Sequence, residues 1–460
     1  MSDEYVFADI ETVDPRISSM GEESIPRLLW RFSLPATIAL VVMASYNIVD
    51  TMFVGRIGSD AIAALSVCFP IQMIILAFGT GTGVGAASLI ARSLGAGNKS
   101  KTSDIAGQVF LLSVILGIVI TVPGIIFMRP ILMAFGATPD IIDLTAEYMT
   151  TIMLGTFFWT LAIILTNITR SEGNAVLSMR NLIISSLLNV ILDPIFIFTL
   201  KMGVRGAAIA TIISKVVLAW LLLHYYISGR SVISIKRVNL KPSLPIILDI
   251  YRVGVPSMII QMSGNFALVI VNRFLGSFDY LPIAVMGLFI RFQNFILMPS
   301  VGIAQGMLPI IGFNYGAKMP QRIREAFLKG SGAGMFFTLV TAAALFIAPQ
   351  FFLRIFTSDR DLLILGSEAM RIMILTSTFL APIQVAISFF QGVGKGTPTL
   401  VLSLLRQFLI YIPCVYVLFR LFSLKGIWYS TPVADSLAFL VTVVMLITEM
   451  RRQNIPLFQK

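Results

Sequence analysis

Asp50 and Asp193 stand inside otherwise apolar stretches, among residues that could hold an ion. Asn47, Asp50 and Thr51 fall at i−3, i and i+1, which puts them on one side of a helix. In Asn189-x-x-x-Asp193-Pro194 the amide and the carboxylate are one turn apart on one face. Pro194 has no N–H for the carbonyl of Val190, so an acceptor is freed beside the acid and the helix can kink. Pro35 does the same to the carbonyl of Arg31. Two carboxylates with an amide and hydroxyls suit a hard cation such as Na⁺. They equally suit a shared proton, which relieves two like charges in a low dielectric. The rival reading makes Asp50 an outer helix end and Asp193 a capped structural acid.

The elements that position these groups follow from composition. Of 460 residues 57% are apolar and only 12% charged, well below a soluble domain; mean hydropathy is +0.90. A bilayer needs about 20 apolar residues per helix. Twelve such runs are expected, at about 31–54, 61–91, 105–128, 141–166, 177–200, 204–227, 248–275, 282–312, 328–349, 361–389, 397–419 and 427–449. A carboxylate inside such a run is costly and usually functional.

The chain is also written twice. Shifted by 221 positions, Gly55 falls on Gly276, Gly81 on Gly302, Gly85 on Gly306, Gly95-Ala96 on Gly316-Ala317, and Gly173 on Gly394. A duplicated apolar body is the signature of a secondary transporter with its substrate site between two repeats. Six runs per copy is an even number, so both copies enter the membrane alike. The expected fold is all-α, two six-helix bundles related by a pseudo-two-fold axis along the membrane normal. The expected division is a tail at 1–30, bundles at 31–228 and 248–450 joined by a linker at 229–247, and a tail at 451–460.

The net charge of +11 is topology rather than a nucleic-acid surface. Arg92, Lys99, Lys101, Lys236, Arg237, Lys241, Lys318 and Arg322 belong to the richer set of alternate loops. Arg129, Lys201, Arg354 and Arg420 belong to the poorer set. The richer side is cytoplasmic, so both termini are expected inside. The first thirty residues carry Asp3, Glu4, Asp9, Glu11, Asp14, Glu22 and Glu23 and read as a solvated acidic tail, not a signal peptide. Cys68 and Cys414 read as small buried hydrophobes and His224 as interfacial. No nucleotide-binding or catalytic constellation stands out, so transport must run on an ion gradient or the substrate's own, and no enzyme and no cofactor are expected. The glycines at 79–85 lack the Gly-Lys-Ser/Thr of a phosphate loop.

The second copy breaks the symmetry. Asp50 aligns with Val271 and Asp193 with Cys414, and Asn265, Arg291, Gln293 and Gln384 supply polarity instead. Ion coupling is therefore expected in the first bundle. Arg291 and Arg406 read as structural cations or as groups that reach an interface.

Ser33-Leu34-Pro35 … Tyr46-Asn47-Ile48-Val49-Asp50-Thr51-Met52-Phe53-Val54-Gly55-Arg56-Ile57-Gly58, followed by Ala61-Ile62-Ala63-Ala64, resembles the first-helix pattern of multidrug and toxic compound extrusion (MATE) transporters. Arg170-Ser171-Glu172-Gly173-Asn174 and its copy Gln391-Gly392-Val393-Gly394-Lys395-Gly396 are similar too. The resemblance is to the DinF-like branch, with its MepA-like pumps, and covers nearly the whole chain beyond residue 30. It implies an antiporter in the cell membrane that expels amphipathic, often cationic drugs against H⁺ or Na⁺, working as a monomer. It implies a cation site at Asp50, Asn189, Asp193 and Thr211, and a helix that bends at Pro35. The other branch uses acids in its seventh and tenth helices; here Asn265 and Ala381-Pro382 stand near those places. The drug cavity is then expected between the bundles, walled by Met, Phe and Tyr, side chains suited to loose specificity. A flippase for lipid-linked sugars shares this architecture, and Arg291 and Arg406 keep that alternative open.

Overall fold

The computed structural model describes residues 14–234, 237–278 and 280–456. A backbone with no water around it must bond to itself, so each apolar run closes as a helix. No strand occurs among the described residues. The first half contains α1 (Pro15–Glu22), α2 (Ile25–Gly55), α3 (Ser59–Gly95), α4 (Lys99–Ile126), α5 (Met128–Ala134), α6 (Ile142–Leu154), α7 (Thr156–Ser171), α8 (Ala175–Pro194) and α9 (Gly203–Ile227). The second contains α10 (Leu244–Leu275), α11 (Tyr280–Gly316), α12 (Pro320–Ile347), α13 (Pro349–Leu353), α14 (Arg360–Ile374), α15 (Ser377–Gly392), α16 (Gly396–Leu404) and α17 (Ile412–Arg452).

Among the described residues, nine helical segments are long and apolar enough to cross a bilayer. The pairs α6/α7 and α14/α15, bent by 53° and 48°, each make one more. The 57-residue segment Gly396–Arg452 holds two crossings. Ser423 leaves helical backbone there (φ 56). Arg406 bonds Asp435, 29 residues on, which a straight helix would hold about 43 Å away. The total is the expected twelve, six per half. Both fifth crossings contain a π turn, Ile195–Thr199 after Pro194 and Leu405–Tyr411 around Arg406.

The halves meet symmetrically. A Cβ on Gly85 would strike the Ile250 carbonyl of α10, and one on Gly306 would strike Ser33 of α2. On the axis, Gly95 abuts the Phe313 carbonyl and Gly316 abuts the Arg92 carbonyl. Phe313 is itself the repeat mate of Arg92, so the contact is reciprocal. These crossings lie toward the face that carries both ends of the described chain, the terminal face. On the lipid side, α4 exposes Ile118, Val119 and Ile126, and its repeat mate α12 exposes Phe336, Leu339 and Ile347. Apolar belts of that kind suit hydrocarbon, and the chain is a multi-pass membrane protein.

Two stretches depart from expectation. Residues 14–30 are not a solvated tail. Pro15 opens α1, capped by Asp14, whose side chain accepts from the Arg16 N–H. Met20 and Ile17 of α1 are buried, and α2 already begins at Ile25. The acidic residues before Asp14 lie outside the described residues. The expected linker at 229–247 ends early, because α10 starts at Leu244, inside it, and Gln108 of α4 fastens it by donating to the carbonyls of Asn239 (3.1 Å) and Lys241 (2.8 Å).

Candidate functional site

Asp50 rides on α2 and Asp193 on α8, and these helices pack side by side in the first half. Their carboxyl groups face each other. Asp193 and Asn189 are fully buried, and the Asn189 amide donates to Asp193 Oδ1 at 3.3 Å. Asp50 Oδ1, Asn189 Oδ1 and Asp193 Oδ2 are buried with no hydrogen-bond partner. Three unpartnered oxygens at one spot make a costly arrangement unless a cation or proton completes it. Among the described residues no cluster of three His, Cys, Asp or Glu side chains forms.

Lys215 was not anticipated from the sequence. It lies on α9, close enough to Asp50 to attract it. Its Nζ donates to the Tyr46 hydroxyl at 3.2 Å and sits 4.9 Å from that ring's centre and 6.0 Å from Trp159's. The signal was present as a lone lysine inside the sixth apolar run. The two-carboxylate site thus has a formal charge of −1 when both acids are ionised. Tyr148 stands beside both aspartates and accepts from the Gln72 amide at 3.0 Å.

The remaining expected residues divide. Thr211 lies half-buried one turn before Lys215, and its carbonyl accepts from Ser214. Asn47 and Thr51 are exposed; the Asn47 amide donates to the Met43 carbonyl and the Thr51 hydroxyl to the Asn47 carbonyl. They spend these donors on their own helix, as such side chains do when no tertiary partner reaches them. Pro35 sits inside α2, buried. Arg291 is exposed, Gln293 and Gln384 half-buried, and none of the three is bonded to the Asp50–Asp193 centre. The side chain of Asn265 lies outside the described residues.

In the second half Arg406 holds the expected structural role, but with a different partner. It neither caps carbonyls nor reaches for an interface: its Nε lies 3.0 Å and its Nη2 2.9 Å from Asp435 Oδ1. Asp435, on α17, is buried and was missed because it lies on the last crossing, not on a face aligned with Asp50 or Asp193. Thr376 faces the same carboxylate. This centre is neutral as built.

The MatE family profile matches residues 35–195 and again 256–417, the two copies of the repeat. The Multidrug export protein MepA of Staphylococcus aureus is 28% identical over 438 residues, which are 94% of this chain and 96% of that protein. MepA of Staphylococcus haemolyticus is 27% identical over the same shares. Among solved structures, an outward-facing conformation of a multidrug resistance MATE family transporter of the MOP superfamily superposes with a TM-score of 0.91. Its identity is 26%, covering 96% of this chain and all of that one. A MATE crystal structure in the bent conformation fits equally well, at 0.91 and 26%, covering 96% and 99%.

Proposed function

The chain belongs to the MatE family of transporters, and we propose that it is a secondary multidrug efflux antiporter exchanging amphipathic or cationic compounds for H⁺ or Na⁺. The observation that carries this is the trio of unpartnered oxygens on Asp50, Asn189 and Asp193. With Lys215 beside it, the site lacks one positive charge. One monovalent cation neutralises it, so one ion per cycle is the expected stoichiometry. The cation removes the repulsion between α2 and α8 and lets them close up. A shift of that kind, transmitted along α2 through the bend at Pro35, changes the cavity between the lobes and so the drug's affinity. Drug and ion then oppose one another by differential binding.

The lobes touch along the terminal half, so the cavity opens to the opposite side. Placed by the basic loops, the termini are cytoplasmic and this is the outward-facing state. The protein works as a monomer in the plasma membrane, and Arg291, Gln293 and Gln384 contribute polar groups on the second lobe's side of the drug path. The flippase reading needs a cationic cavity for an anionic headgroup. Arg406 is spent on Asp435, which leaves that reading with one of the two arginines it rested on.

The test is efflux of a fluorescent cation from proteoliposomes under separately imposed H⁺ and Na⁺ gradients. Efflux driven by one gradient and lost with Asp193→Asn is the expected result. Transport indifferent to both gradients sinks the antiporter reading.

A further inference from the structure

A small chamber of about 50 Å³ lies on the pseudo-two-fold axis between the lobes. Its polar walls come in repeat-related pairs: Asn167 with Ser388, Arg170 with Gln391; Gln305 is the mate of Val84. Sequence duplication therefore put a chamber on the axis, and divergence made one side of it cationic.

Arg170 is only 9% exposed. Its Nη1 donates to Gln305 Oε1 at 2.7 Å, but its Nε is buried with no partner. No carboxylate among the described residues pairs with it; Glu172, two residues on, accepts from Ser231 instead. The neighbouring side chains bond elsewhere rather than to Arg170. Gln391 donates to Ser257 at 3.0 Å, its carbonyl receives the Ser88 hydroxyl, and the Ser388 hydroxyl goes to the Ala304 carbonyl. Once Oε1 of Gln305 is taken by Arg170, the amide N–H groups of that side chain remain to donate. A buried guanidinium without a counter-charge is costly, and here an unused N–H lies beside a cavity able to hold more than one water.

We propose that this chamber binds a small monovalent inorganic anion, of the chloride or bromide class, against Arg170 and Gln305. The walls come from both lobes, so the site exists only while the lobes meet at the terminal face. A ligand that binds one state alone shifts the population toward it. The anion thus holds the terminal face shut, and chloride tunes the conformational equilibrium without being transported. The inference goes beyond the antiporter reading, and its test measures no transport.

Thermal unfolding of the purified protein is compared in sodium gluconate, chloride and bromide at equal ionic strength. Chloride and bromide are expected to raise the midpoint saturably by about 2 °C or more over gluconate. Arg170→Gln is expected to lose that shift. Should Arg170→Gln fail to fold, anomalous scattering from bromide-soaked wild-type crystals decides: a peak beside Arg170 Nε supports the site. Equal midpoints in all three salts overturn it, as does a chamber that holds water only while bromide is found elsewhere.

Discussion

In the first half two carboxylates, Asp50 and Asp193, face one another with unpartnered oxygens around them; in the second half Arg406 takes Asp435 as its partner at 2.9 Å. Both centres lie among α-helical crossings interrupted by a π turn, and both are buried in lipid-depth protein. The chemistry differs in kind. Like charges cannot rest together in a low dielectric, so the first centre is incomplete until something mobile joins it. Opposite charges neutralise each other, so the second centre needs no ion for its charge balance, although Asp435 Oδ2 is also buried without a hydrogen-bond partner. Duplication supplied two equal lobes, and, on the function proposed above, divergence of a few side chains made one responsive to ions and left the other a fixed frame.

Four measurements can break or sharpen that contrast. The largest effect is expected from Asp50→Asn and Asp193→Asn, each of which removes a charge that the cation replaces. Gradient-driven efflux in proteoliposomes should fall at least tenfold while the variants keep a normal elution profile. Near-wild-type efflux from both would show that the first centre is as static as the second.

Next is Arg406→Met. Removing one partner of a buried pair costs roughly 3–5 kcal/mol, so the variant should unfold at markedly lower temperature. Its surviving fraction should keep the ion dependence of the wild type, and Arg406→Met combined with Asp435→Leu should recover much of the stability. If Arg406→Met kept its stability but lost its response to an ion gradient, coupling would sit in the second lobe.

A smaller, more specific change is expected from Lys215→Ala. Without that ammonium the first centre lacks two positive charges rather than one. The stoichiometry read from reversal potentials should rise from one ion per drug toward two. An unchanged value would mean that Lys215 does not count in the charge balance of the site.

The smallest effect concerns the terminal face, where both lobes are bridged by α1. Arg16 Nη1 lies 2.6 Å from the Tyr225 hydroxyl in the first lobe. Arg322 and Asn314 of the second lobe donate to the Met20 carbonyl, both at 3.2 Å. Under this clasp, in the turn between α7 and α8, Glu172 is fully buried, and burial pushes its carboxyl up to about 7. Raised in the folded protein, this acid contributes stability that is complete below its ordinary range near 4.5 and is lost as pH rises through about 7. Hydrogen exchange in residues 15–22 should therefore speed up severalfold between pH 5.5 and 8 after correction for intrinsic rates. Glu172→Gln should flatten that dependence, and equal protection in the wild type at both pH values would remove Glu172 from the account.

Much of the architecture was legible because it rests on patterns that lipid imposes. Long apolar runs, glycines at a fixed offset and an interrupting proline all act locally, and the twelve crossings and the family follow from them. Asp50, Asn189 and Asp193 were legible because a polar group in an apolar run is conspicuous by itself, and the structure brings these three together. Lys215 and Asp435 were equally conspicuous but were passed over. Lys215 becomes informative only beside Tyr46, Trp159 and Asp50, from other helices. Asp435 meets Arg406 because the chain reverses at Ser423; the break between the runs 397–419 and 427–449 was legible, but which residues of the two crossings would meet was not. Asn47 and Thr51 illustrate the opposite case. Their spacing grouped them with Asp50, yet helix periodicity cannot say whether a side chain will prefer its own backbone.

The glycine crossing on the axis has one further consequence. Gly95 and Gly316 each touch a carbonyl of the opposite lobe, and each touched residue is the other's symmetry mate. A methyl group at either position cannot be absorbed by a flexible neighbour, because what it meets is backbone. It would prise the lobes apart like a shim in a hinge, whatever ion or drug is bound. Gly95→Ala and Gly316→Ala should thus act on time rather than on affinity, shortening the dwell of the state described here. Because the contact is reciprocal, the two single changes should shorten it to similar extents.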